Sequence, residues 1–278
     1  MTKNKIKEIL IRSKKNVLNN FSGNQQSILK GTGLDFKEIE EYNPGDDVRK
    51  INWKATAKQN GKPFINIYEE EKQLDVYVLF MINGNIEYKQ KKEIMSEIMS
   101  VISFSAIKNN DYISNIFISN KEEKHFYKTK NKGMINKSLN YIFSLPQNHI
   151  LGKNIDNVYL INYIKQKIKR KSIIFIISDF YEEINFEGLG FKHEIYSIIV
   201  RDKTEEEPMF NDEIEIFDPI TLETEKINFN ESLLKKYKKE IEEKNKKLFQ
   251  SFKKQKIKYI KIQNIQEIYI KLKQLLRY

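Results

Sequence analysis

The sequence predicts an α/β fold with a mostly parallel central sheet and helices on both faces. Three observations carry that prediction. Runs such as "VYVLFMI" (76–82) and "SIIFIIS" (172–178) are apolar without alternation, as strands buried on both faces read. Segments with apolar residues every three or four positions separate such runs, so strands and helices alternate along the chain. The 278 residues, 40% hydrophobic, supply enough apolar surface for a sizeable core.

Taken in order, residues 4–20 place Ile6, Ile9, Leu10, Val17 and Leu18 on an amphipathic helix. Residues 21–34 are polar, contain glycine and read as loop. "NPGDD" (43–47) is a turn, because Pro44 presets φ and Gly45 supplies permissive geometry. "KPFINIYEEE" (62–71) alternates as an exposed strand does. Residues 75–82 form a buried strand, and residues 87–108 a helix with Ile94, Ile98, Val101, Ile102 and Ser105 on one face. A strand at 111–119 has a hairpin partner in "KHFYK" (124–128). Helices follow at 132–143 and 155–169. Strands follow at 172–180 and 193–200, then a β-hairpin insertion at 213–228. A long charged helix covers 230–256, with Leu234, Tyr237, Ile241, Leu248 and Phe252 on its apolar side. The strand "IKYIKI" (257–262) and a helix carrying Ile265, Ile268, Tyr269, Leu272 and Leu275 complete the pattern. The expected division is an N-terminal segment, 1–72, packed on a main domain, 73–278.

Composition narrows the function classes. The chain has no cysteine, which excludes disulfides, thiolate zinc sites and cysteine nucleophiles. Its first residues lack the apolar core of a signal peptide, and no apolar run approaches the roughly 20 residues that span a bilayer. The expectation is a cytoplasmic protein without a transmembrane segment. The formal charge of +11 would suit nucleic acid or an anionic membrane. The lysines, however, interleave with glutamates, as in "KKYKKEIEEKNKK", which is how a solvated helix face reads. With no stacking platform or helix-turn-helix pattern, DNA is not an expected partner.

Catalytic motifs are missing too. The sequence contains no phosphate-binding loop, no glycine-rich dinucleotide turn and no nucleophile elbow. His125, His149 and His193 are scattered without metal-ligand spacing. The chain is therefore not read as an enzyme. Two strand ends remain of interest. One strand runs into Met81, Asn83 and Asn85, and another into Ser178-Asp179. If those strands are neighbours, Asp179 faces the Asn83–Asn85 turn, where ligands of open α/β sheets sit.

The stretch "GTGLDFKEIEEYNPGDDVRKINWKATAKQNGKPFINIYEEE" resembles the signature of the bacterial family called DUF58. Gly33, Phe36, Tyr42, Pro44, Gly45, Asp46, Asp47, Arg49, Ile51, Trp53 and Ala57 match it, as does "IISDF" later. The resemblance implies a Rossmann-like von Willebrand factor A-type domain behind an extended N-terminal segment. It also implies a non-enzymatic adaptor or scaffold. Such proteins are encoded beside MoxR-type AAA+ ATPases and other A-type domain proteins, and are thought to assist assembly of other, often cell-envelope, complexes.

In A-type domains a D-x-S-x-S turn, a Thr and a later Asp hold Mg²⁺. Here the first motif is Met81-x-Asn83-x-Asn85, the Thr position holds Lys153 or Asn154, and only Asp179 keeps its acid. One carboxylate among neutral amides is a poor Mg²⁺ site, so the metal site is read as degenerate and no cofactor is expected. Partner contact is assigned to a rim of Asn83, Asn85, Lys153 and Asp179. Lys153 either reaches Asp179 and supplies the missing positive charge, or is solvated while Asp179 caps the helix that follows. The signature residues Tyr42, Gly45, Asp46, Asp47, Arg49 and Trp53 form either a partner surface or, as favoured, a local turn and cap with Trp53 in the core. Two other readings are a metal-dependent hydrolase using Asp179 with Asp46 and Asp47, and a basic nucleic-acid binder. Mg²⁺-dependent activity would mark the first and steep salt dependence the second.

Overall fold

The computed structural model describes residues 2–19, 35–58, 62–69, 73–182, 184–208, 213–228 and 230–277. Its elements in chain order are α1 (Thr2–Asn19), β1 (Asp35–Glu41), α2 (Trp53–Lys58), β2 (Phe64–Glu69), β3 (Asp75–Met81) and α3 (Lys91–Lys108). Then come β4 (Tyr112–Ser119), β5 (Glu122–Thr129), α4 (Gly133–Ser144), α5 (Asn157–Lys167), β6 (Ile173–Ser178) and α6 (Leu189–Lys192). The remainder are β7 (Glu194–Val200), α7 (Lys203–Glu206), β8 (Glu213–Phe217), β9 (Thr224–Asn228), α8 (Glu231–Lys254), β10 (Lys258–Ile262) and α9 (Ile268–Arg277). The expected loop at 21–34, with the signature residue Gly33, lies outside the described residues.

The chain divides into two compact units, one of residues 1–29 and 74–278 and one of residues 30–73. Helix α1 thus belongs with the larger unit, where it packs on α3. Arg12 bonds Glu97 at 2.7 Å and Lys5 pairs with Glu93.

In the larger unit, six strands among the described residues form one sheet in the order β10-β7-β6-β3-β4-β5. All pairs are parallel except β4 with β5, which is antiparallel. The side-chain alternation of a strand builds two cores from one apolar run. Val76, Val78 and Phe80 of β3 join Phe175 and Ile198 under α1, α3, α4 and α9. Leu79 and Met81 of β3 join Ile174, Ile176 and Ile199 under α5 and α8. A central strand must therefore be apolar on both faces, which is why β3 and β6 carry no polar alternation.

The strand order places the site. From β3 the chain moves to β4 on one side, and the later strands β6, β7 and β10 lie on the other. The switch point falls between β3 and β6, whose register pairs Phe80 with Ile177. Loops leaving the carboxyl ends of two such strands diverge and leave a crevice.

In the smaller unit, β1 and β2 pair antiparallel. The turn before α2 is built locally. Gly45 takes φ +114°, where a side chain would be strained, and Asp46 Oδ2 accepts from Asn43 N at 2.8 Å. Asp47 caps the 3₁₀ turn Val48–Lys50 by accepting from Arg49 N at 3.0 Å, and its carboxylate is held below the usual range by bonds from the Arg49 side chain and backbone. Tyr42 N donates to Pro63 O at 2.8 Å. Trp53 departs from expectation. It opens the six-residue helix α2 and is 71% exposed rather than in a core. Asn52 Oδ1 caps that helix through Ala55 N, and Ile65 of β2 is buried.

Candidate functional site

The strand ends meet as their order requires. β3 continues into Asn83 and a 3₁₀ turn at Gly84–Glu87, and β6 continues into Asp179. Asp179 is 5% exposed, and its Oδ2 accepts from Asn83 Nδ2 and from Asn85 Nδ2, each at 3.0 Å. An ionised carboxylate offers only acceptors, so it turns both amides with their N–H groups towards it. Asn83 Oδ1 is buried without a hydrogen-bond partner among the described residues.

The cation at this site is Lys91, not Lys153. Lys91 is the first residue of α3 and is 1% exposed. Its Nζ stands 3.7 Å from Asp179 Oδ2 and 2.8 Å from Glu205 Oε1. Glu205 completes a capping box at α7, its Oε2 accepting from Asp202 N at 2.6 Å. Burial pushes the Glu205 carboxyl up, and Lys91 only partly offsets that. Lys153 contributes backbone instead: its carbonyl accepts from Gly84 N at 3.0 Å, while its ammonium lies 3.6 Å from the exposed Glu122. Asn154 Nδ2 donates to Glu182 at 2.7 Å.

Arg201, directly after β7, holds the other side of the turn. Its Nε donates to Asp179 O at 2.6 Å and its Nη2 to Phe180 O at 2.7 Å. Nη1 bonds Asn245 Oδ1 at 2.6 Å and Glu206 Oε1 at 3.2 Å, and the guanidinium lies 4.1 Å from the Tyr181 ring centroid. The backbone at Phe180 takes φ +48°, a conformation these two carbonyl bonds help hold.

A cleft of about 90 Å³ opens here, lined by Met81, Asn83, Asn85, Asn154, Ser178 and Asp179 among others. The β8–β9 hairpin closes one side of it. Pro219 O accepts from Gly152 N at 2.9 Å, and Ile220 lines the cleft. A Cβ on Gly84 would stand 2.0 Å from Pro219 O, so only glycine fits the turn beneath this tip.

The donor set does not fit Mg²⁺. That ion needs near-octahedral oxygen at about 2.0–2.1 Å and carboxylate charge. Asp179 is the one carboxylate the sequence retained, and it is already compensated by an ammonium and two amide N–H groups. Among the described residues no group of three or more His, Cys, Asp and Glu could hold a metal. Asp46 and Asp47 are spent on local turn and cap bonds within the smaller unit.

Lys91, Glu205 and Arg201 were not among the residues singled out from sequence. Arg201 had a readable signal, since it ends an apolar strand run in "SIIVRD". Lys91 had none. In "KQKKEI" it looks like any solvated lysine.

The profile of the family described as "Protein of unknown function DUF58" matches residues 38–247. The chain belongs to the DUF58 family. The matched range takes in the signature block from residue 38 onward and the strand-end site of this DUF58 protein. Uncharacterized proteins of Mycobacterium bovis and Mycobacterium tuberculosis are each 21% identical to it over 188 residues, 65% of this chain. The chain spans 59% of the length of those relatives. A crystal structure of the conserved hypothetical protein BatB from Bacteroides thetaiotaomicron aligns with 73% of this chain and 97% of its own, at 12% identity and a TM-score of 0.42.

Proposed function

We propose that this DUF58 protein is a non-enzymatic interaction module of von Willebrand factor A type. In this reading the strand-end site docks a partner protein without a metal. One observation carries the reading: Asp179, at the switch point, is held by Lys91 and by the amides of Asn83 and Asn85. A buried ammonium in contact with the acid keeps the crevice electrostatically complete, so partner binding need not recruit a cation.

The partner we propose is a MoxR-type AAA+ ATPase, with the assembly of other protein complexes as the joint task. Family membership supports the reading. So does the position of the cleft at the carboxyl ends of the strands, where open α/β sheets bind their ligands. The hydroxyl of Ser178 in that cleft accepts from Phe180 N at 3.4 Å, and among the described residues no base is bonded to it. Asn83, Asn85 and Asp179 form its floor in this proposal, and the Lys153 backbone supports the Gly84 turn.

The test is retention of the purified MoxR-type ATPase of the same organism on the immobilised full chain, with Mg²⁺ or with EDTA. Equal retention in both, lost in Asn85→Arg, is the expected result. Failure of the wild-type chain to retain the ATPase, or retention unaffected by Asn85→Arg, overturns it.

A further inference from the structure

Beside the strand-end cleft lies a second pocket, which the site described above does not use. Helix α8 carries Lys244 and Lys247, three residues apart, past the Phe180–Glu182 turn. Together with Arg201 they line a space of about 210 Å³, whose remaining walls include Phe180, Ile241 and Leu248. Arg201 is fixed in place by its bonds to two backbone carbonyls, Asn245 and Glu206. Lys244 and Lys247 are exposed, and neither belongs to an ion pair of the described residues. Glu240 and Glu243 precede them by one helical turn and do not line the pocket. The carboxylate that does line it, Glu182, accepts from Asn154 in the neighbouring cleft. Two exposed lysines thus face one space beside a guanidinium already paired with Glu206, and the single carboxylate among the described lining residues is already bonded.

We infer that this pocket receives a carboxylate side chain from an acidic, partly apolar segment of a partner protein. The inference rests on the strand-end face being a protein-docking surface, and it names the chemistry of what docks. Charge complementarity selects an anion. The apolar and aromatic walls select a segment that brings hydrocarbon with its charge. The two pockets share Phe180, Tyr181 and Glu182, so one extended segment can place an apolar side chain in the first and an acid in the second. A nucleic-acid backbone fits less well, because two exposed lysines offer few phosphate contacts and the pocket's other walls are largely apolar or aromatic.

The experiment uses the full chain and a labelled synthetic peptide alternating Glu and Leu, with a Gln-Leu peptide and an oligothymidine strand as comparison probes. Fluorescence anisotropy reads affinity. Zero-length carbodiimide coupling followed by mass spectrometry reads which lysines touch the acid. The Glu-Leu peptide binds and the Gln-Leu peptide does not. Coupling concentrates on Lys244 and Lys247, and Lys244→Glu/Lys247→Glu weakens binding about tenfold. Should that double variant not fold, Lys244→Gln/Lys247→Gln carries the same test. Coupling spread over the exposed lysines at large, or affinity unchanged in the double variant, overturns the proposal. So does preferential binding of the oligothymidine that the variant abolishes, which would make the pocket a phosphate site. An ATPase retained equally by wild type and double variant removes the acidic-segment pocket and leaves the docking reading standing. Peptide coupling at Lys244 and Lys247 without ATPase retention keeps the pocket and removes that partner.

Discussion

Lys91 and Asp179 are an ion pair across the carboxyl ends of β3 and β6, with Nζ 3.7 Å from Oδ2 and both side chains 5% exposed or less. The pair joins the first residue of a helix to the last turn of a neighbouring strand. It therefore closes the crevice of the sheet from within, and Glu205 shares the same ammonium.

Removing one partner of a buried pair costs more than the pair itself contributes, because a desolvated charge is left behind. Lys91→Met strands two carboxylates, Asp179 and Glu205, and should destabilise the protein by about 3–5 kcal/mol. Lys153→Ala removes only a contact with Glu122, whose side chain is 72% exposed, and should change stability by less than about 1 kcal/mol. Urea denaturation of the two variants checks the contrast. Equal effects would place the important cation at 153 after all.

Divalent metal should have no effect on stability. A site filled at a hundred times its Kd would gain about 2.7 kcal/mol, which a melting curve detects easily. With Lys91 beside Asp179 and amide N–H groups turned towards it, Mg²⁺ addition followed by EDTA should leave Tm where it was. A Tm that rises with Mg²⁺ and falls with EDTA would contradict the ammonium's role.

Gly84→Ala should loosen the β8–β9 hairpin. The added Cβ meets a backbone carbonyl, Pro219 O, which cannot rotate away as a side chain could. Overpacking of this kind costs roughly 1–3 kcal/mol. Limited proteolysis should show faster cleavage within residues 213–228 in the variant than in the wild type. Unchanged cleavage would mean that the tip does not bear on the turn.

Much of this fold was legible because its causes are local or periodic. Apolar runs without alternation marked β3, β6 and β7, and the meeting of Asp179 with Asn83 and Asn85 followed once β3 and β6 were neighbours. What sequence did not show depends on where a long side chain goes after the backbone is placed. Lys91 is indistinguishable from its neighbour Lys92 in the sequence, yet the helix start turns it towards Asp179 and Glu205. Lys153 was chosen for its position in the loop, and it is the backbone there that serves the site. Trp53 was assigned to a core because turn, cap and aromatic together read as a docking motif. It stands instead at the first position of a short helix whose neighbours are mostly polar, and remains exposed.

His193 makes stability depend on pH. It lies at the start of β7, is 2% exposed, and neither ring nitrogen has a hydrogen-bond partner among the described residues. Burial, then the charge of Lys192, lowers its pKa from the ordinary histidine value. The folded state thus prefers the neutral ring, while the unfolded chain takes up a proton at about pH 6.5. Below that value the unfolded state binds more protons, so stability is full above about pH 6.5 and falls as pH drops towards the folded pKa. The slope for one proton is at most about 1.4 kcal/mol per pH unit. Asp202, Glu194, Glu206 and Glu267, whose pKa values are lowered, act in the same direction once pH falls into the ordinary carboxylate range and below it. Glu97 and Glu205, whose carboxyls burial pushes up, take up protons above that range and act in the opposite direction, so the histidine is isolated by comparison with His193→Gln. Between about pH 6.5 and 5, urea midpoints should fall more steeply, or rise less, for the wild type than for His193→Gln, which cannot take up the proton. A variant curve parallel to that of the wild type would show that His193 is protonated in the fold without cost.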